Sequence, residues 1–257
     1  MKAIIPILLC VLSFNAFSQL PTLTIASTST TSGCNPTIDG SISIGTINSN
    51  NTSEIDMVLS TSPNQTVGFR SFGAKPENII PWSNAFIQET QRNNILATAK
   101  HFPGHGLVSG DTHKELQVID GPLKELQNYP LLIKNGVLSI MIAHIAVKNN
   151  GQFDTKGLPS TCSETIVKGL LRDSLGFKGL IVTDAMNMGG VVNVPSAATK
   201  AISAGCDIVL MPLDAKKTHS ELLASYKTDK VFRAKVDAAA KRIIRMKLSL
   251  GLLNTVR

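Results

Sequence analysis

The chain has 257 residues, of which 43% are hydrophobic and 17% charged, a composition that fits one large globular domain or two small ones. The formal net charge is +7, yet lysine and arginine form no blocks and aromatic residues make up only 5%. Nucleic-acid binding is therefore not expected. A basic surface could favour an anionic polymer, although solvated surface charge is the simpler account.

Residues 1–18 have the pattern of a secretory signal peptide. Lys2 precedes an apolar run that extends from Ala3 to Leu12, and the small residues Ala16 and Ser18 follow it. The run is too short for a stable membrane-spanning helix. We expect an exported protein, periplasmic or secreted, with no membrane contact after cleavage; a buried N-terminal helix or strand is the alternative.

Residues 19–65 form a segment rich in serine, threonine and asparagine. It contains too few large apolar residues to build a core of its own, although alternating pieces such as 41–44 could pair as weak strands. We interpret it as a linker or as a fragment of a β-rich repeat. The odd number and wide spacing of Cys34, Cys162 and Cys206 do not indicate a disulfide framework; buried free thiols are expected, and a single bridge is the alternative.

From residue 66 onward, apolar strands alternate with helices. Strands are predicted at 95–99, 138–144, 179–184 and 206–212, and helices at 77–93, 122–135, 163–175, 195–204, 217–226 and 231–250. Continuous apolar strands that alternate with helices predict a parallel sheet covered on both faces. Since the carboxyl ends of such strands converge on one rim, the polar residues there should share a cleft: Lys100, His101, His144 and Asp184.

Asp184 is a candidate catalytic residue because a carboxylate at the mouth of an apolar strand is costly unless it is hydrogen-bonded or used. The alternative is a helix N-cap. Asp111 and His113 lie two residues apart in a loop, a spacing that lets a carboxylate orient an imidazole for general acid/base catalysis. An exposed turn is the alternative for this pair.

A metal site is not expected at His101 and His105. Their spacing of four suits zinc only on a helix, which Pro103 and Gly104 exclude, and Lys100 would repel a cation. His105 is better explained as a structural residue that ties the loop together. The sequence predicts neither a metal nor a cofactor.

Several motifs, in order along the chain, resemble family 3 glycoside hydrolases of the β-N-acetylhexosaminidase type. The segment ATAKHFPGHG at 97–106, followed by GDTH at 110–113, resembles the signature of the family. Four further segments also resemble the family: VGFRSFG at 67–73, MIAHI at 141–145, LGFKGLIVTDAM at 175–186 and AGCDIVLMP at 204–212. The resemblance extends from about Asp56 to the C-terminus. It implies a TIM-type (β/α)8 barrel.

The resemblance also implies roles for individual residues in a retaining mechanism with a covalent glycosyl-enzyme intermediate. Asp184 matches the nucleophile, and His113, held by Asp111, matches the general acid/base. Three residues match positions that bind the sugar in the −1 subsite: Arg70, Lys100 and His101.

One feature of the family is not found in this chain. The family opens its barrel with a strand that carries a D-x-E-G-G-type motif, and no such motif is present. Residues 66–257 are also fewer than the roughly 250 of a full barrel. We therefore expect a barrel domain that is incomplete at its N-terminal side.

The functional expectation is a glycosidase that removes terminal β-linked N-acetylglucosamine from glycans such as peptidoglycan fragments. Its partner is a carbohydrate substrate. The alternative is a catalytically inactive carbohydrate-binding or surface protein made from a truncated barrel.

Overall fold

The computed structural model describes residues 71–73 and 75–253, together with two short strands at 23–25 and 44–47. The chain divides into two units, one formed by Leu12–Ile55 and the other containing Asp56–Arg257. The predicted signal peptide, most of the 19–65 segment, Cys34 and Arg70 lie outside the described residues.

The smaller unit contains one pair of antiparallel strands. Strand β1 (Leu23–Ile25) pairs with β2 (Ile44–Ile47), with Leu23 opposite Ile47 and Ile25 opposite Ile44. The alternating piece 41–44, predicted as a weak strand, therefore contributes Ile44 to β2.

The larger unit alternates strands and helices along the chain. In order, its elements are α1 (Pro76–Arg92), β3 (Thr98–Phe102), β4 (Gln117–Asp120), a 3-10 helix (Lys124–Asn128), α2 (Tyr129–Lys134), β5 (Ser139–Ile142), β6 (Ile145–Lys148), a second 3-10 helix (Ser160–Cys162), a π-helix (Thr165–Ser174), β7 (Leu180–Ala185), α3 (Ala197–Ala204), β8 (Ile208–Leu210), α4 (Ala215–Thr228) and α5 (Lys230–Ser249).

The central sheet is parallel, and its order follows the chain: β3, β5, β7, β8. Ser139 of β5 lies opposite Thr98 of β3 and Leu180 of β7. Helices connect successive strands and cover the sheet, so that apolar side chains such as Ile140, Ile142 and Ile181 are fully buried. The α/β class predicted from the sequence is confirmed.

Local sequence explains where the principal helices begin. Pro76 occupies the first turn of α1, where its missing N–H removes no hydrogen bond. Asp229 precedes α5, and its carboxylate accepts hydrogen bonds from the backbone N–H groups of Val231 (2.8 Å) and Phe232 (3.1 Å). Both helices then pack one apolar stripe against the rest of the unit.

The structure corrects several predicted elements. The strand predicted at 95–99 runs from Thr98 to Phe102, so Lys100 and His101 lie within β3 rather than after it. The helix predicted at 122–135 is divided between a 3-10 helix and α2, and the one at 163–175 is a π-helix. A second parallel pair, β4 with β6, was not predicted because strands of four residues carry too little periodicity.

A buried ionic cluster around Asp207 joins the last strands to two helices. The Asp207 side chain is 0% exposed and accepts hydrogen bonds from Ile181 N (2.8 Å) in β7, from Arg242 Nε (2.7 Å) in α5 and from the Arg172 guanidinium in the π-helix. Burial raises the pKa of Asp207, and the two guanidinium groups oppose this shift. Asp207 therefore connects β7 to the π-helix and to α5.

Cys162 and Cys206 are buried free thiols, as the sequence predicted. Burial raises the pKa of Cys162 to about 12. Among the helices that the structure describes, none combines the length and the apolar character that crossing a membrane requires.

Candidate active site

The carboxyl ends of three neighbouring strands bring the predicted polar residues to one rim. Asp184 in β7 is 8% exposed, and its Oδ2 lies 3.5 Å from His101 Nε2 in β3. His144 follows β5, between these two strands, and its Nε2 lies 3.0 Å from the Ala185 carbonyl oxygen. The parallel sheet thus brings together side chains that are far apart in the chain.

The Asp184 carboxylate is held on one side. Its Oδ1 accepts a hydrogen bond from the backbone N–H of Ala185 (2.8 Å), while Oδ2 faces His101. Asp184 lies inside β7 and precedes no helix turn that it could cap, so the alternative N-cap interpretation is wrong. A buried carboxylate with one oxygen anchored has little freedom to rotate, which suits a group that must meet a reacting atom in one direction.

His144 supports the end of β7 through its contact with Ala185. Its ring is fully buried, and a carbonyl oxygen can only accept, so Nε2 carries the proton donated to Ala185 O. Burial lowers the pKa of His144, although the nearby Asp184 charge acts in the opposite direction. On the other side of the ring, Nδ1 lies 2.8 Å from the Thr161 hydroxyl oxygen.

The second catalytic candidate stands on the loop after β3. His113 Nδ1 lies 2.8 Å from Asp111 Oδ1, and the same oxygen accepts the backbone N–H of His113 at 2.9 Å. The side chains are 57% and 34% exposed, respectively. Since the carboxylate accepts from Nδ1, the ring presents Nε2 for proton exchange, which is the geometry of an oriented general acid/base.

Buried contacts shape the loop that carries this pair. His105 Nε2 lies 2.9 Å from Thr112 Oγ1, so His105 ties the loop together, as the sequence suggested. The Glu125 carboxylate accepts the backbone N–H of Gly106 at 3.0 and 3.1 Å. A side chain at Gly104, whose φ is +150°, would overlap Glu125, so this position requires glycine.

Of the predicted site residues, the structure brings His101 close to Asp184 and pairs His113 with Asp111. Lys100 and His101 are buried in β3 close to the rim, whereas Arg70 lies outside the described residues. No hydrogen bond joins His113 to Asp184 in the part of the chain that the structure describes. Glu125 and Thr161 were not predicted because each lies in an ordinary polar context; only the fold shows what they contact.

The fold belongs to the α/β barrel class, in which four parallel βα units form part of a (β/α)8 barrel. The chain belongs to glycoside hydrolase family 3, because residues 56–246 match the family described as the glycosyl hydrolase family 3 N terminal domain. The family resemblance of the motifs is confirmed.

Individual relatives agree with this assignment. A β-N-acetylglucosaminidase/β-glucosidase of Cellulomonas fimi is 30% identical over 203 residues, 74% of this chain and 36% of that protein. A β-hexosaminidase of Actinobacillus pleuropneumoniae serotype 5b is 37% identical over 156 residues, 57% of this chain and 44% of that protein. The chain thus spans less than half the length of these curated relatives.

Solved structures lead to the same family. The structure of a glycoside hydrolase family 3 β-N-acetylglucosaminidase from Paenibacillus sp. str. FPU-7 superposes with a TM-score of 0.72 at 26% identity. The match covers 79% of this chain and 40% of that one.

Proposed function

We propose that this protein is a retaining β-N-acetylhexosaminidase that hydrolyses terminal β-linked N-acetylglucosamine. The observation that carries the proposal is that the loop after the strand of the buried, anchored Asp184 carboxylate is hydrogen-bonded to the loop of the exposed His113 imidazole, which Asp111 holds at 2.8 Å. The names of the relatives, β-hexosaminidase and β-N-acetylglucosaminidase, support the sugar.

The two groups would divide the reaction into two steps. In the first step, Asp184 Oδ2 forms a bond to the anomeric carbon as the glycosidic C–O bond breaks, and His113 Nε2–H gives its proton to the leaving oxygen. In the second step, His113 takes a proton from water, and the resulting oxygen attacks the anomeric carbon. This attack releases the sugar and restores Asp184 and His113 to their starting states.

The remaining candidates would bind the sugar. Lys100 and His101 lie buried in β3, which β5 separates from the Asp184 strand, and His101 Nε2 lies 3.5 Å from Asp184 Oδ2, a location that suits contacts to sugar hydroxyls in the −1 subsite. Arg70 is proposed for the same subsite on its motif alone. We propose that the chain is exported, that its substrate is a glycan derived from peptidoglycan, and that it has neither nucleic acid nor membrane as a partner.

One observation favours the second candidate function, a carbohydrate-binding protein without turnover. The described central sheet has four strands, whereas the family's barrel has eight.

The experiment offers purified protein an aryl N-acetyl-β-glucosaminide and, as the control, its α-anomer. Release of the aryl alcohol from the β-anomer alone is expected. Saturable binding of N-acetylglucosamine, measured by calorimetry, with no release from either anomer would replace the glycosidase with the binding protein. Release from both anomers at equal rates would contradict a stereospecific site.

A further inference from the structure

The loop that follows the nucleophile strand is hydrogen-bonded to the loop that carries the acid/base. The backbone N–H of Gly189 donates to the carbonyl oxygen of His113 at 2.8 Å, and that of Gly190 donates to the carbonyl oxygen of Thr112 at 3.0 Å. The two candidate catalytic groups, which make no hydrogen bond to each other among the described residues, are therefore connected through backbone.

A side chain has no room at Gly189 and would be tightly crowded at Gly190. A Cβ on Gly189 would overlap the carbonyl oxygen of Lys114 and lie 2.9 Å from that of His113. A Cβ on Gly190 would lie 3.0 Å from His144 Cβ and 3.1 Å from the Thr112 carbonyl oxygen. Neither glycine has a positive φ, so the requirement for glycine here comes from close approach and not from backbone conformation.

The contacts join both halves of the site. Gly190 packs against His144, whose ring holds the Ala185 carbonyl next to Asp184. On its other side, Gly190 holds Thr112, which His105 also binds. The backbone beneath His113 is thus fixed from two directions, while the His113 side chain remains largely exposed.

We propose that Gly189 and Gly190 are positioning residues that set the distance and orientation of the His113 imidazole relative to Asp184. This inference rests on the proposed function insofar as it concerns catalysis. An added methyl group at Gly189 would push the 112–114 backbone away, and a displacement of about 1 Å at a reacting group can cost about 100-fold in rate.

The test compares Gly189→Ala and Gly190→Ala with Gly151→Ala as the matched control. Gly151 has no positive φ, and the Cβ that alanine would add there has no neighbouring atom within 4 Å, so the same substitution should change nothing. Trypsin cleavage after the exposed Lys114 measures whether the loop is docked, independently of turnover. We expect several-fold faster cleavage at Lys114 in Gly189→Ala and wild-type cleavage in Gly151→Ala.

Kinetics supply the second readout. In both variants, hydrolysis of substrates with poor leaving groups should fall by about 100-fold, and that of activated aryl substrates by much less, because only the former need protonation. Unchanged cleavage at Lys114 combined with equal losses on both substrate types would overturn the proposal. If cleavage at Lys114 is faster in the variants than in the wild type, but neither the variants nor the wild type turn over any substrate, the docking of the loop would be supported and the proposed function refuted.

Hydrogen exchange of the wild-type protein keeps the proposal falsifiable even if the variants do not fold. The amides of Gly189 and Gly190 should exchange at least about 100-fold more slowly than the amide of Gly151, since both donate to backbone carbonyls. Exchange at the rate of Gly151 would mean that the two loops are not joined, and the proposal would be wrong.

Discussion

The two ends of the candidate site are built in opposite ways. Asp184 lies inside a buried parallel strand, between β5 and β8, and the residue is 8% exposed. His113 stands on a loop with its side chain 57% exposed, held by one carboxylate and by backbone hydrogen bonds. The nucleophile thus takes its position from the packed sheet, and the acid/base takes its position from a few directional contacts that can change without unfolding the protein.

The difference has a chemical reason. The proposed nucleophile would attack one carbon from one direction, so rigidity would help it. The proposed acid/base would serve two partners in turn, the leaving oxygen and then a water molecule, and an exposed imidazole can reach both. Changes that disturb the packing of the sheet side should therefore affect folding as well as activity, whereas changes on the loop side should affect activity alone.

The largest effect is expected at the nucleophile. Asp184→Asn keeps the shape and the acceptor for Ala185 N–H, so the fold should persist while turnover falls on the order of 10⁴-fold. A 2-fluoro sugar should label Asp184 in the wild type and nothing in the variant, as mass spectrometry of peptides will show. Labelling of another carboxylate would reassign the nucleophile.

A smaller and selective loss is expected at the acid/base. His113→Ala should reduce turnover by about 10³-fold for poor leaving groups and much less for activated aryl groups, which need little protonation. Azide should restore the second step, because it attacks without a general base. His219→Ala, on the exposed side of α4, is the control and should behave as the wild type. Equal losses on all substrates without azide rescue would leave His113 a structural residue.

On the sheet side, the loss of the Asp207 carboxylate, which anchors the strand that carries Asp184, should mainly lower the stability of the fold. Asp207→Asn leaves Arg172 and Arg242 without their shared carboxylate and should lower the free energy of unfolding by about 3 kcal/mol, measured by urea denaturation. Asp173→Asn removes a carboxylate from an exposed ion pair with Lys168 and should change little. Equal effects of the two substitutions would contradict the structural role of Asp207.

The smallest effect is a dependence of stability on pH. Burial lowers the pKa of His144 below its usual value near 6.5, so the unfolded chain binds a proton there more readily than the folded one. The contribution of His144 is complete above pH 6.5 and declines as the pH falls below it, by at most about 1.4 kcal/mol per pH unit. Urea denaturation should show this decline in the wild type and in His113→Ala, and less of it in His144→Gln. An identical slope in His144→Gln would exclude His144 as its source.

Whether a structural feature could be predicted from the sequence depends on the physical signal that the feature leaves in the sequence. The apolar runs around Ile140 and Ile181 predicted β5 and β7 to within a few residues, because a strand buried on both faces must be apolar throughout. The strand before His101 was displaced by three residues, since a buried lysine and histidine within β3 do not look like strand interior.

The supporting contacts could not be predicted in the same way. Gly189 and Gly190 have the same appearance as glycines of any loop, and their role depends on how closely two distant loops approach. Asp207 was noted only as part of a family motif, because its partners Arg172 and Arg242 are contributed by helices far apart in the chain. Contacts of this kind have no local pattern and become visible only with the fold.

The Asp207 cluster has a consequence for the order in which the protein matures. In the sheet, each strand pairs with the one before it along the chain, so β3, β5 and β7 can assemble progressively as the polypeptide emerges. The strand that carries Asp184 is nevertheless secured by Asp207, just ahead of β8, and by Arg242 in α5. The Asp184 carboxylate should therefore reach its final geometry only when α5 has docked, long after its own strand has been synthesised.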